Sequence, residues 1–588
     1  MGISQDNNEE LFFNGINGST GDYLFAPQTM AEMSEAAQQS LFEKIDGESK
    51  SDPTDDEHLS ALIDRDRQEA HFGTKVDEKE ISQTGWGIIF ARTVGDDVRD
   101  ALKVLRQHRL GQAGEDFYKE YQIGGRLSAH EFLSEYNDYL IYGKKGEHNS
   151  TSMYEAADPK KVPYYLLIVG DFEEIPFSFQ YQLDVQYAVG RIYFDTAEEY
   201  AQYAEKVVQA ETTNLTLPCR ANLFGVRTPG DRATELSADY LVKPLNQFFE
   251  SDQHFLKENS HWQINTHLEE QATKAQLGQL LGGEDMPALL FTASHGVGFD
   301  KDDVRQEKCQ GALLCQDWPG PGSGEMKEDY FFSADDIGED TKLDGLISFH
   351  FACFGAGTPK VDDFGHRDNS FQQIAEKSFI AKLPQRLLSR GALAFVGHVD
   401  RAWGYSFGGN DHQITSFENT LEYLMKGYPV GAAIEWFNER YAAVSSELTE
   451  NLWKMKVAGK KSDDRRLSYL WTTNNDARGY AIIGDPAVRL MVGNYNFTEQ
   501  SGSQQQLIEY TASQASQSSD NTDSDRTELV ESLNRLITQI NESQQPSTPI
   551  SNQLKLLFER LDNKVQQAET DDDISKLETE LTSLVKRL

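Results

Sequence analysis

Pro287-Ala-Leu-Leu-Phe-Thr-Ala-Ser-His295-Gly296 and Leu346-Ile-Ser-Phe-His-Phe-Ala352-Cys353-Phe354-Gly355 are two short apolar runs, each ending in a reactive side chain. Each has the length of a buried strand of a parallel sheet and breaks into glycine-containing loop. In open α/β sheets, functional groups gather at the carboxyl ends of parallel strands, so two such ends can bring together residues far apart in sequence. His295 and Cys353 are 58 positions apart. An imidazole beside a thiol is the minimum set for a cysteine nucleophile, the His taking the thiol proton and passing one to the leaving group.

Strand–alternating–helix patterning extends this reading in both directions. Gly85 to Ala91, Tyr164 to Val169, Asn222 to Val226 and Ala392 to Val396 read as further strands. Helical spacing is expected near residues 98–110, 127–142, 236–249, 271–281, 374–388 and 417–425. Repeated alternation of this kind predicts an α/β fold with a doubly wound, mainly parallel sheet flanked by helices.

The residues around the two runs resemble the caspase-like fold of cysteine peptidases, and its gingipain and CHAT branches above all. Ala352-Cys353-Phe354-Gly355 with His295 upstream is similar to the caspase nucleophile pattern. Tyr164-Tyr-Leu-Leu-Ile-Val-Gly-Asp-Phe-Glu-Glu-Ile-Pro176 resembles a gingipain strand that continues to Ile-Pro, and Tyr187-Ala-Val-Gly-Arg-Ile192 resembles its Gly-Arg segment. Gly391 to Gly397 followed by Trp403-Gly404 resembles the strand and substrate-wall loop after the nucleophile. Ile483-Gly-Asp-Pro486 resembles the closing element of gingipain and CHAT domains. The resemblance implies a catalytic dyad of Cys353 and His295, with an oxyanion hole made of the Gly296 and Cys353 backbone N–H groups. His350, mid-strand between two Phe residues, reads as a core residue. His398 follows a strand and is the competing base; the resemblance instead puts its strand in the substrate wall.

The resemblance also guides the substrate pocket. Where gingipains carry an Asp after Ile-Pro, this chain has Ser178-Phe179-Gln180-Tyr181. Asp184, Asp400 or Asp411 would then serve a basic P1 residue, with Trp403 as a pocket wall. A caspase-like acidic preference would draw on Arg191 or Arg401. The reading favours a basic or unspecialised P1. The long stretch from Val297 to Asp344 is expected to gate the cleft, with Lys301, Arg305 and Lys308 as self-cleavage sites. Asp300, Asp302 and Asp303 lack calcium-loop spacing and Cys309 and Cys315 lack a zinc pattern, so no metal or cofactor is expected.

Composition narrows the setting. The 588 residues carry a net charge of −40, which argues against direct nucleic-acid binding and against anionic membranes. There is no apolar run of membrane-spanning length and no secretory leader, and four cysteines are too few for a disulfide scaffold. A cytoplasmic protein is expected, which departs from the secreted gingipains.

The organisation read from the chain has five parts. Residues 1–84 are an acidic region, either a solvated loop or a pro-segment shielding the cleft, with an amphipathic helix over residues 30–45 carrying Met33, Ala37, Leu41 and Phe42 on one face. Residues 85–219 form a first α/β subdomain and 220–497 the caspase-like catalytic domain. Residues 498–525, rich in Ser, Gln, Thr and Asp, are a flexible linker. Residues 526–588 are a small helical hairpin or three-helix module that recruits an activating protein or docks on the enzyme. The expected function is a cysteine endopeptidase acting on a protein partner, activated by a partner or by loop processing, in a bacterial defence or cell-death pathway. The alternatives are a catalytically silent scaffold that binds partners through its C-terminal helices, and a thiol hydrolase or acyltransferase on small substrates.

Overall fold

A computed structural model of the protein describes residues 10–46, 76–125, 128–136, 159–213, 215–251, 255, 259, 261–362, 373–407, 414–458 and 463–493. The acidic stretch beyond residue 46, Asp411, the 498–525 linker and the 526–588 helical module lie outside them.

Strands whose alternate side chains are apolar on both faces can be buried only as the middle layer of a sandwich. Trp86, Ile88 and Phe90 point into one apolar cluster while Ile89 and Ala91 point into another, and Leu167 and Ile168 divide in the same way. The result is a 10-stranded sheet. In spatial order it runs Tyr118–Ile123, Trp86–Ala91, Tyr165–Val169, Ala188–Ile192, Tyr480–Gly484, Ala394–His398, Ile347–Phe351, Leu289–Ala293, Arg220–Gly225, Gln263–Leu268. The first five strands are mutually parallel, as are the last five. The halves meet at one antiparallel seam, where Ala394–His398 pairs with Tyr480–Gly484. The last strand in sequence thus completes the half built by the first strands, and the mainly parallel α/β sheet matches the expectation.

The Gly-Asp-Pro element closes that seam. Gly190 packs so tightly on it that a Cβ would lie 2.1 Å from the Gly484 carbonyl oxygen. Asp485 accepts hydrogen bonds from Trp86 Nε1–H (3.0 Å) and Arg109 Nε–H (2.8 Å), and its own backbone N–H donates to Tyr203 Oη (2.6 Å). Arg109, fully buried, also pairs with Glu211 at 2.8 Å. Buried charge is tolerable only when paired in this way.

Three differences from the sequence reading matter for the site. The expected helix over 374–388 is confined to Lys382–Ser389, after a short strand at Phe379–Ile380. The stretch after His295 is a small four-stranded sheet rather than a loose gate, ordered Phe331–Phe332, Ala312–Leu314, Gly296–Gly298, Gly15–Asn17. Its last strand comes from the region where no sheet pattern was read. Helix Met30–Asp46 packs Met33 and Ala37 inward against helix Asp464–Gly479, with Ser34 Oγ–H donating to Asp464 at 2.8 Å.

Candidate active site

Parallel strands in register deliver residues of equal offset to the same level. Leu289 pairs with Ile347 and Ala293 with Phe351, so the offset of 58 that separates His295 from Cys353 is the register of the two strands. Both residues lie just past the carboxyl ends of adjacent strands, about 4.8 Å apart by ordinary strand spacing. The turn after the thiol is strained: Phe354 has φ +58°, uncommon for a bulky residue, and its N–H donates to the Asp400 carbonyl at 2.7 Å.

His295 Nε2 lies 2.7 Å from Asp231 Oδ2, with both side chains fully buried. The Asp231 carboxylate only accepts, so Nε2 carries the proton and Nδ1, which has no hydrogen-bond partner, is left with a lone pair. That is the tautomer a general base needs. Asp231 stands past the end of the neighbouring strand Arg220–Gly225 and also accepts Thr234 Oγ1–H (2.6 Å) and Tyr23 Oη–H (2.6 Å). Burial pushes its carboxyl up, but the His295 imidazole and these two hydroxyl donors together hold it below the usual range. Tyr23 and Trp318 meet the imidazole edge-on at centroid distances of 6.0 and 5.8 Å.

The Cys353 thiol is fully buried, and Ala402 N–H points at Sγ from 3.1 Å. Burial pushes its pKa up to about 12; the Ala402 N–H works against this and the nearby Asp400 charge adds to it. The thiol is therefore protonated in this arrangement.

The backbone N–H groups of Gly296 and Cys353 converge on one acceptor, the carbonyl oxygen of Asn14, at 2.9 and 3.1 Å. Asn14 N–H donates to the Ala402 carbonyl at 3.3 Å, and Gly15–Asn17 continues as a strand parallel to Gly296–Gly298. Gly15 passes close to the thiol, a Cβ there falling 3.2 Å from Sγ. Phe13 packs edge-on to Trp403 at 4.8 Å and to Phe25 at 5.6 Å, and the Arg401 guanidinium lies over Phe25 at 3.7 Å. A carbonyl held by two convergent N–H groups beside a thiol is the geometry of acyl transfer.

The remaining residues singled out from sequence fall in several places. Trp403 is part of this wall, its backbone N–H donating to Asp476 Oδ1 at 2.9 Å. Asp400 neighbours the thiol. Phe179 and Asp184 belong to the other half of the sheet. Phe179 packs on Phe132, and Asp184 accepts Val189 N–H at 3.0 Å, its buried carboxyl pushed well up by desolvation. Arg191 is buried there too, donating to the Ile175 and Pro176 carbonyls, with its pKa lowered to about 9 by burial. Arg401 pairs with Asp362. Arg305 is tied to Asp303 and Glu325, both at 2.8 Å, while Lys301 and Lys308 are exposed. His350 hydrogen-bonds Thr292 at 2.7 Å and stacks on Phe395; burial lowers its pKa to about 3. His398 meets Asp476 at 3.0 Å, and that carboxylate also accepts Ser406 Oγ–H at 2.9 Å, bracing the Trp403 loop from beneath. Asp231, Asn14 and Tyr23 were not singled out from sequence. Asp231 carried one signal, an acid just past an expected strand end.

The model of peptidase family C25 matches residues 135–491. No curated protein matches the chain. Among solved structures, a protease is 12% identical, with a TM-score of 0.39, over 69% of this chain and 78% of its own. Separase of Saccharomyces cerevisiae, from its complex with securin, is 12% identical, with a TM-score of 0.24, over 55% of this chain and 15% of its own.

Proposed function

Because the chain belongs to peptidase family C25, a family of cysteine peptidases of the caspase-like clan, we propose that it is an endopeptidase whose nucleophile is Cys353 and whose base is His295. The observation that carries this reading is the single carbonyl oxygen gripped by Gly296 N–H and Cys353 N–H beside the thiol. Asp231 holds the proton of the neutral imidazole on Nε2, so Nδ1 is the nitrogen that takes the thiol proton; Sγ attacks a peptide carbonyl, and its oxygen draws on the two N–H groups as charge develops. His295 then protonates the leaving amine, and water hydrolyses the thioester. Asp231 is a positioning residue here, acting through His295.

We further propose that the substrate is a protein and that an activating partner engages residues 526–588. A cytoplasmic setting is supported by the four free cysteines. A role in bacterial defence or cell death rests on the family resemblance. Reaction with peptide electrophiles carrying Asn, Arg, Lys, Leu or Asp at P1 tests the enzymatic reading. An adduct on Cys353 that disappears in His295→Ala supports it. A Cys353 that resists every electrophile, with and without lysate of the source cells, refutes it.

A further inference from the structure

We infer that the segment through the cleft is a substrate in place: Asn14–Gly15 is the first bond this enzyme is aimed at, and its P1 pocket selects an asparagine carboxamide. This rests on the peptidase reading above and adds a substrate class to it.

The backbone argument is geometric. A bound peptide must put its P1 carbonyl in the oxyanion hole and pass P1′ across the nucleophile. Asn14 meets the first condition through Gly296 and Cys353 N–H, and its own N–H is fixed on Ala402 O. Gly15 meets the second, lying against Cys353 Sγ with no side chain to obstruct it. On the departing side, Gly15–Asn17 is held by its strand pairing and by Leu24 N–H on Gly15 O at 3.0 Å. On the other side, Phe13 is seated between Trp403 and Phe25.

The pocket argument is chemical. The fully buried Asn14 side chain turns Nδ2 towards Ser237 Oγ (3.5 Å) and the Ser294 carbonyl (3.4 Å). Ser237 Oγ–H is already committed to the Thr234 carbonyl at 3.3 Å, so both partners present lone pairs. They call for an N–H donor and repel a carboxylate. On the opposite side Oδ1 faces Gly404, where a Cβ would fall 3.2 Å away, and accepts no hydrogen bond from the described residues, so the selection lies at the Nδ2 end. All three contacts are uncharged, so a Lys or Arg would gain no counter-charge from them. Asp231, past the end of the neighbouring strand, is already occupied by His295, Thr234 and Tyr23.

The step balances with water alone. Sγ forms a thioester with the Asn14 carbonyl carbon while the Asn14–Gly15 C–N bond breaks, the Gly15 nitrogen leaving as an amine that takes the proton His295 received from the thiol. Hydrolysis restores the thiol and leaves Asn14 with a carboxylate. Until then the segment covers the thiol and holds it protonated.

The test uses the full chain. Wild type, Cys353→Ala, Asn14→Asp and Asn14→Arg are incubated, and each product is read by intact mass and N-terminal sequencing. The expected result is a wild-type fragment beginning at Gly15, none from Cys353→Ala, and cutting slowed about 100-fold or more in both Asn14 variants, since a pocket built on hydrogen bonds rejects side chains that cannot make them. A wild-type chain that stays intact, or one cut equally in Cys353→Ala, overturns self-cleavage. Asn14→Arg cut as fast as wild type overturns the asparagine preference. Either result leaves the peptidase reading standing if an Arg or Leu electrophile still labels Cys353.

Discussion

Truncating Phe13 should uncover the thiol without touching it. In chains still carrying residues 10–25, Cys353 is sealed by the backbone of Asn14 and Gly15, and its pKa of about 12 leaves a thiolate fraction of about 10⁻⁴ at pH 8. An ordinary thiol of pKa about 8.5 is about one-quarter ionised there, so alkylation of Cys353 should run about 10³-fold slower than that of an exposed cysteine. Labelling through the opened segment should rise about tenfold per pH unit and level off above about pH 9, where an uncovered thiol is ionised.

Phe13 is the buried anchor of the segment, 2% exposed and packed on Trp403 and Phe25. Truncating a buried Phe removes about 3–5 kcal/mol of packing. If about 3 kcal/mol of this falls on the seated segment, its opening becomes about 100-fold more frequent, and Phe13→Ala should label at Cys353 about 100-fold faster. The assay is iodoacetamide at pH 8 with site-resolved mass spectrometry, restricted to molecules whose intact mass retains the segment. The partly exposed Cys219 and Cys309 serve as internal references. A wild-type Cys353 that labels as fast as Cys219, or a Phe13→Ala rate equal to wild type, refutes the idea that the segment controls the thiol.

Asp231→Asn should lower the rate constant for peptide cleavage by about 10²- to 10⁴-fold with little change in KM, because an amide donating to His295 Nε2 would shift its proton to Nδ1 and remove the base. Unchanged kcat with a shifted KM would contradict that role. Gly296→Ala places a Cβ 1.8 Å from the Cys353 carbonyl oxygen, so the strands must part and the two N–H donors separate. Turnover should fall about 100-fold or more, read on the same peptide, while wild-type turnover would exclude Gly296 from the oxyanion hole. Asp485→Ala would strand Trp86 Nε1–H and deprive Arg109 of one carboxylate, costing about 3–5 kcal/mol in urea unfolding. Glu211 titrates low: burial pushes it up, but Arg109 and His108 bring it to about 2. Its unfolded value is about 4.3, so its contribution of about 3 kcal/mol is complete above that pH and lost as pH falls towards 2, a dependence that Glu211→Gln should abolish.

How far the sequence was legible follows from what each residue signals locally. The central strands announced themselves because both faces are buried: Leu289–Ala293 and Ile347–Phe351 are mostly apolar and buried throughout, and just past their ends stand His295 and Cys353. The edge strands were silent for the converse reason. Tyr118–Ile123 reads Tyr-Lys-Glu-Tyr-Gln-Ile, half exposed, and Gln263–Leu268 has no fully buried position. Helix Asp464–Gly479 passed unread because polar residues break up its apolar face: beside Leu467, Leu470 and Trp471, Ser468, Thr472, Asn475 and Asp476 are buried through hydrogen bonds rather than hydrophobicity.

The segment at residues 13–17 was illegible for a deeper reason. Phe13-Asn14-Gly15-Ile16-Asn17 has no period; it turns back on Asp22–Leu24 through a single bridge between Ile16 and Tyr23, and its strand forms on the edge that Gly296–Gly298 offers. A peptide bound in a protease cleft is extended and read through its backbone, so the sequence needed to fill such a cleft is short and nearly free of pattern. What it must contain is a P1 side chain that suits the pocket, a small residue to clear the nucleophile and an anchor beside them. Asn14, Gly15 and Phe13 supply these in order. The same economy explains Tyr23, which reaches back from the following turn to Asp231: a segment that both fills the oxyanion hole and hydrogen-bonds the residue positioning the base engages the chemistry at two points. Tyr23→Phe should therefore leave Asn14 seated while loosening Asp231, so that self-cleavage changes without faster labelling of Cys353. Acceleration of both together would mean that Tyr23 anchors the segment instead.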